Sequence, residues 1–369
     1  MIGQLKNLAK QLLAVTWIRK TYDTFNRVVT EVFSFHRILS VPYSILTFAT
    51  FNREQFAVLR GRRDYYRNLA NRRRSHTELR RNIHRLEKGI SMRPRRPVFA
   101  LDYLLETIEF YEVAIRDFGT EGAIAENELE WAFSVLREYF SLVDSTNPLV
   151  RQAEDRFKST HARFNVSGKG NKRPFPRSET IPSDVEYDGL LALAMQRRSV
   201  RWFQQKPVPR ELVDKALLVA RQSPTACNRL PYEFRIFDDP GMVKEVAGIP
   251  FGSVGYSHQI PTVAVLVGRL NHYFSPRDRH VIYVDSSLAA MSFMLALETL
   301  GLSSSVINWP DFEPLERRMQ KKLGLAYDER VIMLIAIGYA DAAGIIPYSE
   351  KKSLEIIRRY NDLPTVTNG

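Results

Sequence analysis

Four short segments in the second half of this 369-residue chain bring together residue types that can handle an anion or a planar ligand. Arg197-Arg198-Ser199-Val200-Arg201 sets three guanidiniums and a hydroxyl at the end of a helical run. Forked guanidiniums suit a phosphate, which accepts their charge-assisted hydrogen bonds. The plainer reading is a solvated basic helix end favoured by the helix dipole. Ser223-Pro224-Thr225-Ala226-Cys227-Asn228-Arg229 places small side chains, an amide and a guanidinium at a helix-to-strand crossing. Ser, Pro and Asn are also ordinary turn residues. Gly301 to Trp309 (GLSSSVINW) has a glycine and three serines where exposed backbone could approach a planar ligand; a helix cap followed by a strand explains it equally. Lys351 and Lys352 precede a short amphipathic stretch, and paired lysines are most often solvated surface.

The elements that must position these segments follow from pattern. Residues 1–165 read as helical, with apolar residues at three- and four-residue steps in FALDYLLETIEFYEVAIRDFG and ELEWAFSVLREYFSLV. Asn165 to Asp184 is rich in Gly, Pro, Ser and charge and reads as a linker, taken as residues 166–186. From 187 to 369 helix and strand signals interleave. Glu211 to Arg221 predicts a helix, YEFRIF alternates like a strand, and PTVAVLVG suits a buried strand. Ser286 to Leu300 is a long apolar helix, SSSVINW is extended, PLERRMQKKLGL is helical, and RVIMLIAIGYA is another buried strand. That order makes a domain of mixed class around a central sheet.

Composition narrows the classes. The chain is 44% hydrophobic and 25% charged, as soluble globular proteins are. Its single cysteine, Cys227, excludes an intramolecular disulfide and an all-Cys zinc site, and fits a reducing cytoplasm. No metal site is expected. The formal charge of +12 is concentrated: Arg60 to Arg96 holds 14 Arg and Lys against 3 acids. The first residues (Ile2, Leu5, Leu8, Leu12, Val15) have helical spacing with lysines between them and no convincing cleavage site. The apolar run Ile38 to Phe51 is too short to span a bilayer, so no transmembrane helix is expected.

The order and spacing of the four segments resemble the FMN-dependent nitroreductase family over roughly residues 187 to 360. Arg-Arg-Ser-x-Arg is followed about 25 residues later by Ser-Pro-Thr-Ala-Cys-Asn-Arg-x-Pro. A long helix then leads into Gly-Leu-Ser-Ser-Ser, and a strand ending Gly338-Tyr339-Ala340-Asp341 precedes the paired lysines. The resemblance implies an α+β fold, a mostly antiparallel sheet flanked by helices, here preceded by an all-α domain. It implies that Arg197, Arg198, Ser199 and Arg201, completed by Lys351 and Lys352, hold the FMN phosphate and part of its ring. It implies that Pro224, Thr225, Ala226 and Asn228 reach the flavin of a partner subunit, and that Ser304, Ser305, Asn308 and Trp309 lie near its reactive edge. Two flavin sites would form at a homodimer interface. NAD(P)H would donate hydride to flavin N5 in a ping-pong cycle with an acceptor, and no catalytic side chain is named. Leu230 and Tyr232 stand where many members have glutamine and tryptophan, and Ser303 where a second glycine is common.

The basic helical half is open to three readings. It is a solvated helix with internal ion pairs, or a site in which arginines such as Arg85 and Arg95 recognise an anionic substrate, or a patch for nucleic acid or anionic membrane. Similar two-part chains accompany polysaccharide-assembly proteins, a resemblance that fixes no substrate. The function classes are therefore a flavin oxidoreductase with a nitro, quinone or pathway-specific acceptor, or a dimeric binding protein that has lost turnover.

Overall fold

The computed structural model describes residues 16–46, 48–71, 76–119, 124–163 and 171–361. The helical spacing noted for residues 2–15 lies outside them. Four strands form one antiparallel sheet: β1 (Tyr232–Phe237), β2 (Thr262–Arg269), β3 (Ser303–Asn308) and β4 (Glu329–Gly338), in the order β1-β2-β4-β3. The central strands β2 and β4 are apolar almost throughout because both sheet faces are covered. Along β2, Val263, Val265 and Val267 enter one core while Ala264 and Leu266 enter the other. A bulge opposite Leu266 and Val267 leaves Ile332 of β4 unpaired in the register and bends the pair.

The first core is closed mainly by the helix Val281–Thr299, whose Ile282, Ala290, Phe293 and Leu297 lie on the sheet. This helix is apolar and, with the turn before it, long enough by composition to cross a membrane, yet half of its apolar window is buried within the protein. The helix Arg210–Ala220 packs beside it, sharing the core through Val213, Ala216 and Ala220. The second core is closed by the helices Pro240–Ala247 and Glu313–Leu323. Asp239 starts the former by accepting the Met242 N–H at 2.9 Å, and Gly324, at φ 64°, ends the latter.

A separate core fills the helical half. It is built from Thr77–Ile90, Leu104–Asp117, Glu126–Leu142 and Pro148–Arg163, through Ile83, Leu86, Ile108, Tyr111, Leu136, Tyr139 and Phe157. Residues 16–46, 48–71, 76–119 and 124–163 are largely helical, but they do not share one core. The helix Phe48–Asn71 packs on the sheet-containing half instead. Its Ala57 enters the first sheet core, Arg53 pairs with Glu313 and bonds Glu313 Oε1 at 3.0 Å, and Arg62 donates to the Phe274 carbonyl at 2.9 Å. Helical periodicity reports that a helix buries one face; it does not report which partner covers it. Asn171–Glu186 has one short 3-10 turn, Arg177–Glu179, and otherwise no regular element.

Gly61 marks the closest approach of that helix. A Cβ there would lie 2.7 Å from Leu270 Cβ and 2.8 Å from the Leu270 carbonyl carbon. Alanine gains about 1 kcal/mol of helix propensity over glycine, whereas overpacking against backbone costs about 1–3 kcal/mol. Gly61→Ala should therefore lower the melting temperature, where an exposed helical Gly→Ala would raise it.

The seam between the halves also holds a buried histidine. His272 bonds Asn271 Oδ1 at 2.9 Å through Nδ1, and burial, then Arg269, Arg229 and Arg80, push its pKa from 6.5 down to about 3. The unfolded chain would take up a proton below its ordinary pKa that the folded chain refuses, so stability falls as pH drops through this window. One such proton is worth up to about 1.4 kcal/mol per pH unit. Urea midpoints between pH 6 and 4 should fall in the native protein and fall less steeply in His272→Gln.

Candidate functional site

The helix Tyr187–Gln196 ends at Arg197, and the chain then runs along the sheet edge. Ser199 forms a parallel bridge to Ser304 of β3, and the Val200 N–H donates to the Ser304 carbonyl at 3.0 Å. Phe203 bridges Ala340, and the Asp341 N–H donates to the Trp202 carbonyl at 3.0 Å. Gly338 makes this crossing possible, since a Cβ there would lie 2.7 Å from Pro261 Cγ and 2.8 Å from Phe203 Cδ1. The first motif is thus laid beside the serines of β3. Arg198 bonds the carbonyls of Pro347 and Tyr348, which ties down the segment carrying the exposed Lys351 and Lys352. Arg201 lies with its guanidinium carbon 5.9 Å from the Tyr256 ring centroid.

Arg197 Nε, Glu298 Oε1, Ser304 Oγ and Ser305 Oγ are buried without a hydrogen-bond partner, and Ser304 and Ser305, consecutive on β3, face opposite sides of the sheet. Buried donors and acceptors are nearly always paired in folded proteins, so the open Arg197 donor and the open Ser304 hydroxyl on this edge are groups that a polar, anionic ligand satisfies. Glu298, near the end of the long helix, borders the same place. Burial raises its pKa, and Gln196, Ser303 and Arg197 oppose that shift.

Asn308 is exposed at the end of β3, whereas Trp309 turns the other way. Its ring is buried in the second sheet core and its Nε1–H donates to Glu316 Oε1 at 2.5 Å. The expected place of the Trp309 side chain beside a ligand is therefore corrected: the indole needs a buried acceptor, and Glu316 supplies it. Strand alternation alone does not reveal that, because the residue follows the last ladder pair.

The Pro224–Asn228 segment is at the opposite end of the long helix. Ser223 Oγ lies 2.9 Å from Ser292 Oγ, and the Ala226 N–H donates to Asp285 Oδ2 at 3.0 Å. Asp285 is buried; that burial raises its pKa, partly offset by the Ala226 N–H and Arg229. Cys227, Asn228 and Leu230 have φ of 56°, 50° and 45°. Left-handed backbone costs an L-residue roughly 1 kcal/mol or more, least for Asn, so this loop is held rather than relaxed. Thr225 Oγ1 accepts from the Leu230 N–H at 3.2 Å within it. Asp285 and Glu298 are 13 residues apart, about 20 Å along a helix. Within one chain the Arg197–Ser304 cluster and the Thr225–Asn228 loop therefore do not meet.

Arg85 and Arg95 join neither cluster. Arg85 lies 3.5 Å from the Tyr103 ring centroid and reaches Asn82 and Asp102, while Arg95 is exposed on the turn after that helix. It is Arg80 that reaches the loop, donating from Nε to the Asn228 carbonyl at 3.1 Å. Asp285 and Glu298 were not among the expected site residues. The signal for them is that they are the two charged residues in an otherwise apolar helix.

Comparison with known proteins finds relatives for the sheet-containing half. The family model described as the nitroreductase family matches residues 194–254 and 251–339. A protein of Archaeoglobus fulgidus provisionally named NADH dehydrogenase/NAD(P)H nitroreductase is 28% identical over 175 residues, covering 46% of this chain and 92% of its own. Iodotyrosine deiodinase 1 of Rattus norvegicus is 21% identical over 211 residues, 50% of this chain and 72% of its own. Among solved structures, an FMN-dependent nitroreductase from Clostridium difficile overlays with a TM-score of 0.41 at 21% identity, covering 47% of this chain and 99% of that one. The matched region coincides with the sheet, the long helix and the Arg197–Ser304 cluster, and the helical core before it lies outside the match. The C-terminal half of this chain is accordingly similar to the nitroreductase family over residues 194–339.

Proposed function

We propose that this protein is an NAD(P)H-dependent FMN oxidoreductase that works as a homodimer, in which donor and acceptor occupy one site in turn. The observation that carries the reading is the pair of unpartnered buried polar atoms, Arg197 Nε and Ser304 Oγ, inside the matched region. An FMN phosphate and ring edge fit that pair: the guanidinium supplies charge, the hydroxyl supplies a donor, and Lys351 and Lys352 lie on a segment that Arg198 ties to the same edge. Bound FMN would supply the redox chemistry, and the protein binds, orients and shields it. No acid or base side chain is asked to move a proton.

The separation of the two clusters supports the dimer reading, given that both serve one flavin. A second copy related by a two-fold axis, its long helix antiparallel to the first, would set the Thr225–Asn228 loop of one chain against the Arg197 cluster of the other. The surface suits such a partner. Val284, Leu288 and Met291, one stripe of the long helix, are 58%, 44% and 40% exposed. Tyr187, Leu190 and Met195 on the adjacent helix are exposed as well. Contiguous exposed apolar area of this kind marks an interface.

Reconstitution with FMN should give a yellow protein whose oxidised-flavin band bleaches with NADH or NADPH and returns on adding a quinone or nitro compound. A colourless protein that takes up no FMN would favour the alternative of a dimeric binding protein. Arg197→Ala with Arg201→Ala removes two charge-assisted bonds of about 1.5–3 kcal/mol each. It should weaken FMN binding at least about a hundredfold while leaving the far-ultraviolet dichroism unchanged, and undiminished FMN affinity would refute the phosphate assignment. Leu288→Arg should convert a dimer into a monomer by light scattering and lose FMN in parallel. A monomer that keeps full FMN affinity contradicts the shared site.

A further inference from the structure

The strained loop Thr225–Leu230 is held in place by the half of the chain that lies outside the family match. Arg80, on the first helix of the helical core, donates from Nε to the Asn228 carbonyl, and its Nη1 pairs with Glu128 on the helix Glu126–Leu142. Its side chain is 15% exposed, so the guanidinium is desolvated and held from two sides. One residue further, Arg81 bonds Glu78 at 3.0 Å and lies 5.4 Å from the Phe274 ring centroid. On the loop itself, Arg229 is buried with its guanidinium 5.0 Å from the Tyr273 ring centroid. The loop's conformation is therefore fixed by Asp285 on one side and by Arg80 on the other.

We propose that Arg80 is a positioning residue: through it the helical half clamps the Thr225–Leu230 loop in the shape that faces the flavin of the second subunit. The inference rests on the flavin reading for its consequence but not for the clamp itself. A carbonyl in left-handed backbone has no neighbouring strand or helix to hold it. A guanidinium bonded at the same time to Glu128 supplies that hold and links the loop's shape to the packing of a separate core. Arg80, one of the 14 Arg and Lys between Arg60 and Arg96, thereby acquires a use other than binding substrate or nucleic acid.

Cys227 is the chain's single cysteine and lies within the loop at intermediate exposure. Its rate of reaction with dithionitrobenzoate therefore reports loop opening whether or not flavin is present. In the full-length protein Arg80→Ala should raise that rate, and raise the FMN dissociation constant measured by flavin fluorescence quenching, each by about fivefold or more, as expected for one hydrogen bond to a charged group. Glu128→Gln should act in the same direction with a smaller effect. Arg80→Lys should recover FMN affinity in part, because an ammonium lacks the fork that reaches both partners. Arg210→Ala, which removes an exposed guanidinium paired with Asp238, should change neither quantity. If Arg80→Ala fails to fold, Arg80→Lys and Glu128→Gln decide. An unchanged Cys227 rate in these variants overturns the clamp, and a raised rate with unaltered FMN affinity overturns the positioning role. Failure of the native protein to bind FMN would sink the flavin reading alone, leaving the thiol rate to judge the clamp.

Discussion

Two buried carboxylates on one apolar helix organise the functional half of this protein. Asp285 and Glu298 are the charged residues of the helix Val281–Thr299, and each is pushed toward its neutral form by burial. A buried carboxyl is tolerated where donors meet it. Asp285 draws the Ala226 N–H to one end of the helix, and Glu298 draws Gln196, Ser303 and Arg197 to the other. The helix is rigid, so its length sets the spacing of the two clusters. That spacing keeps the two clusters apart within one chain.

The sheet makes this helix a fixed ruler. Apolar side chains on both faces of β2 and β4 bury these two central strands almost throughout, and the helix packs across one of those faces through Phe293 and Leu297. Close-packed interiors transmit displacement instead of absorbing it. The edge crossing at Gly338 then brings Ser199 beside Ser304 without a side chain in the way. Catalytic elements of this kind need no elaborate acid–base apparatus. In the proposed reading they need a cradle whose open polar atoms are aimed before the ligand arrives, and the buried Arg197 Nε and Ser304 hydroxyl suit that preorganisation.

The helical half changes the meaning of the chain's positive charge. A cluster of arginines in sequence suggests a surface for anions, but many of these guanidiniums are committed within the protein. Arg53 goes to Glu313, Arg62 to the Phe274 carbonyl, Arg81 to Glu78 and Arg85 to the face of Tyr103. Arginine suits such seams because its planar head bonds in several directions while its stem packs against apolar surface. Part of the charge thus serves to hold helices in place, as Arg62 does at the Phe274 carbonyl and Arg80 at Glu128 and the Asn228 carbonyl.

The sequence by itself determined much of the second half. Long β-branched runs such as TVAVLVG identify buried strands, and each predicted strand and long helix there is present within a few residues. Local periodicity suffices for that, because alternation and helical spacing are properties of neighbouring residues. The order of short motifs also pointed to the Arg197–Arg201 segment and to Ser304 and Ser305. Tertiary structure decided what depends on partners far along the chain. It sent the helix Phe48–Asn71 to the sheet half, turned Trp309 toward Glu316, and chose Arg80 over Arg85 to reach the loop. It also placed the Thr225–Asn228 loop and the Arg197 cluster at opposite ends of one helix. None of these follows from spacing, because a side chain's periodicity says which way it points on its own element and nothing about what stands opposite.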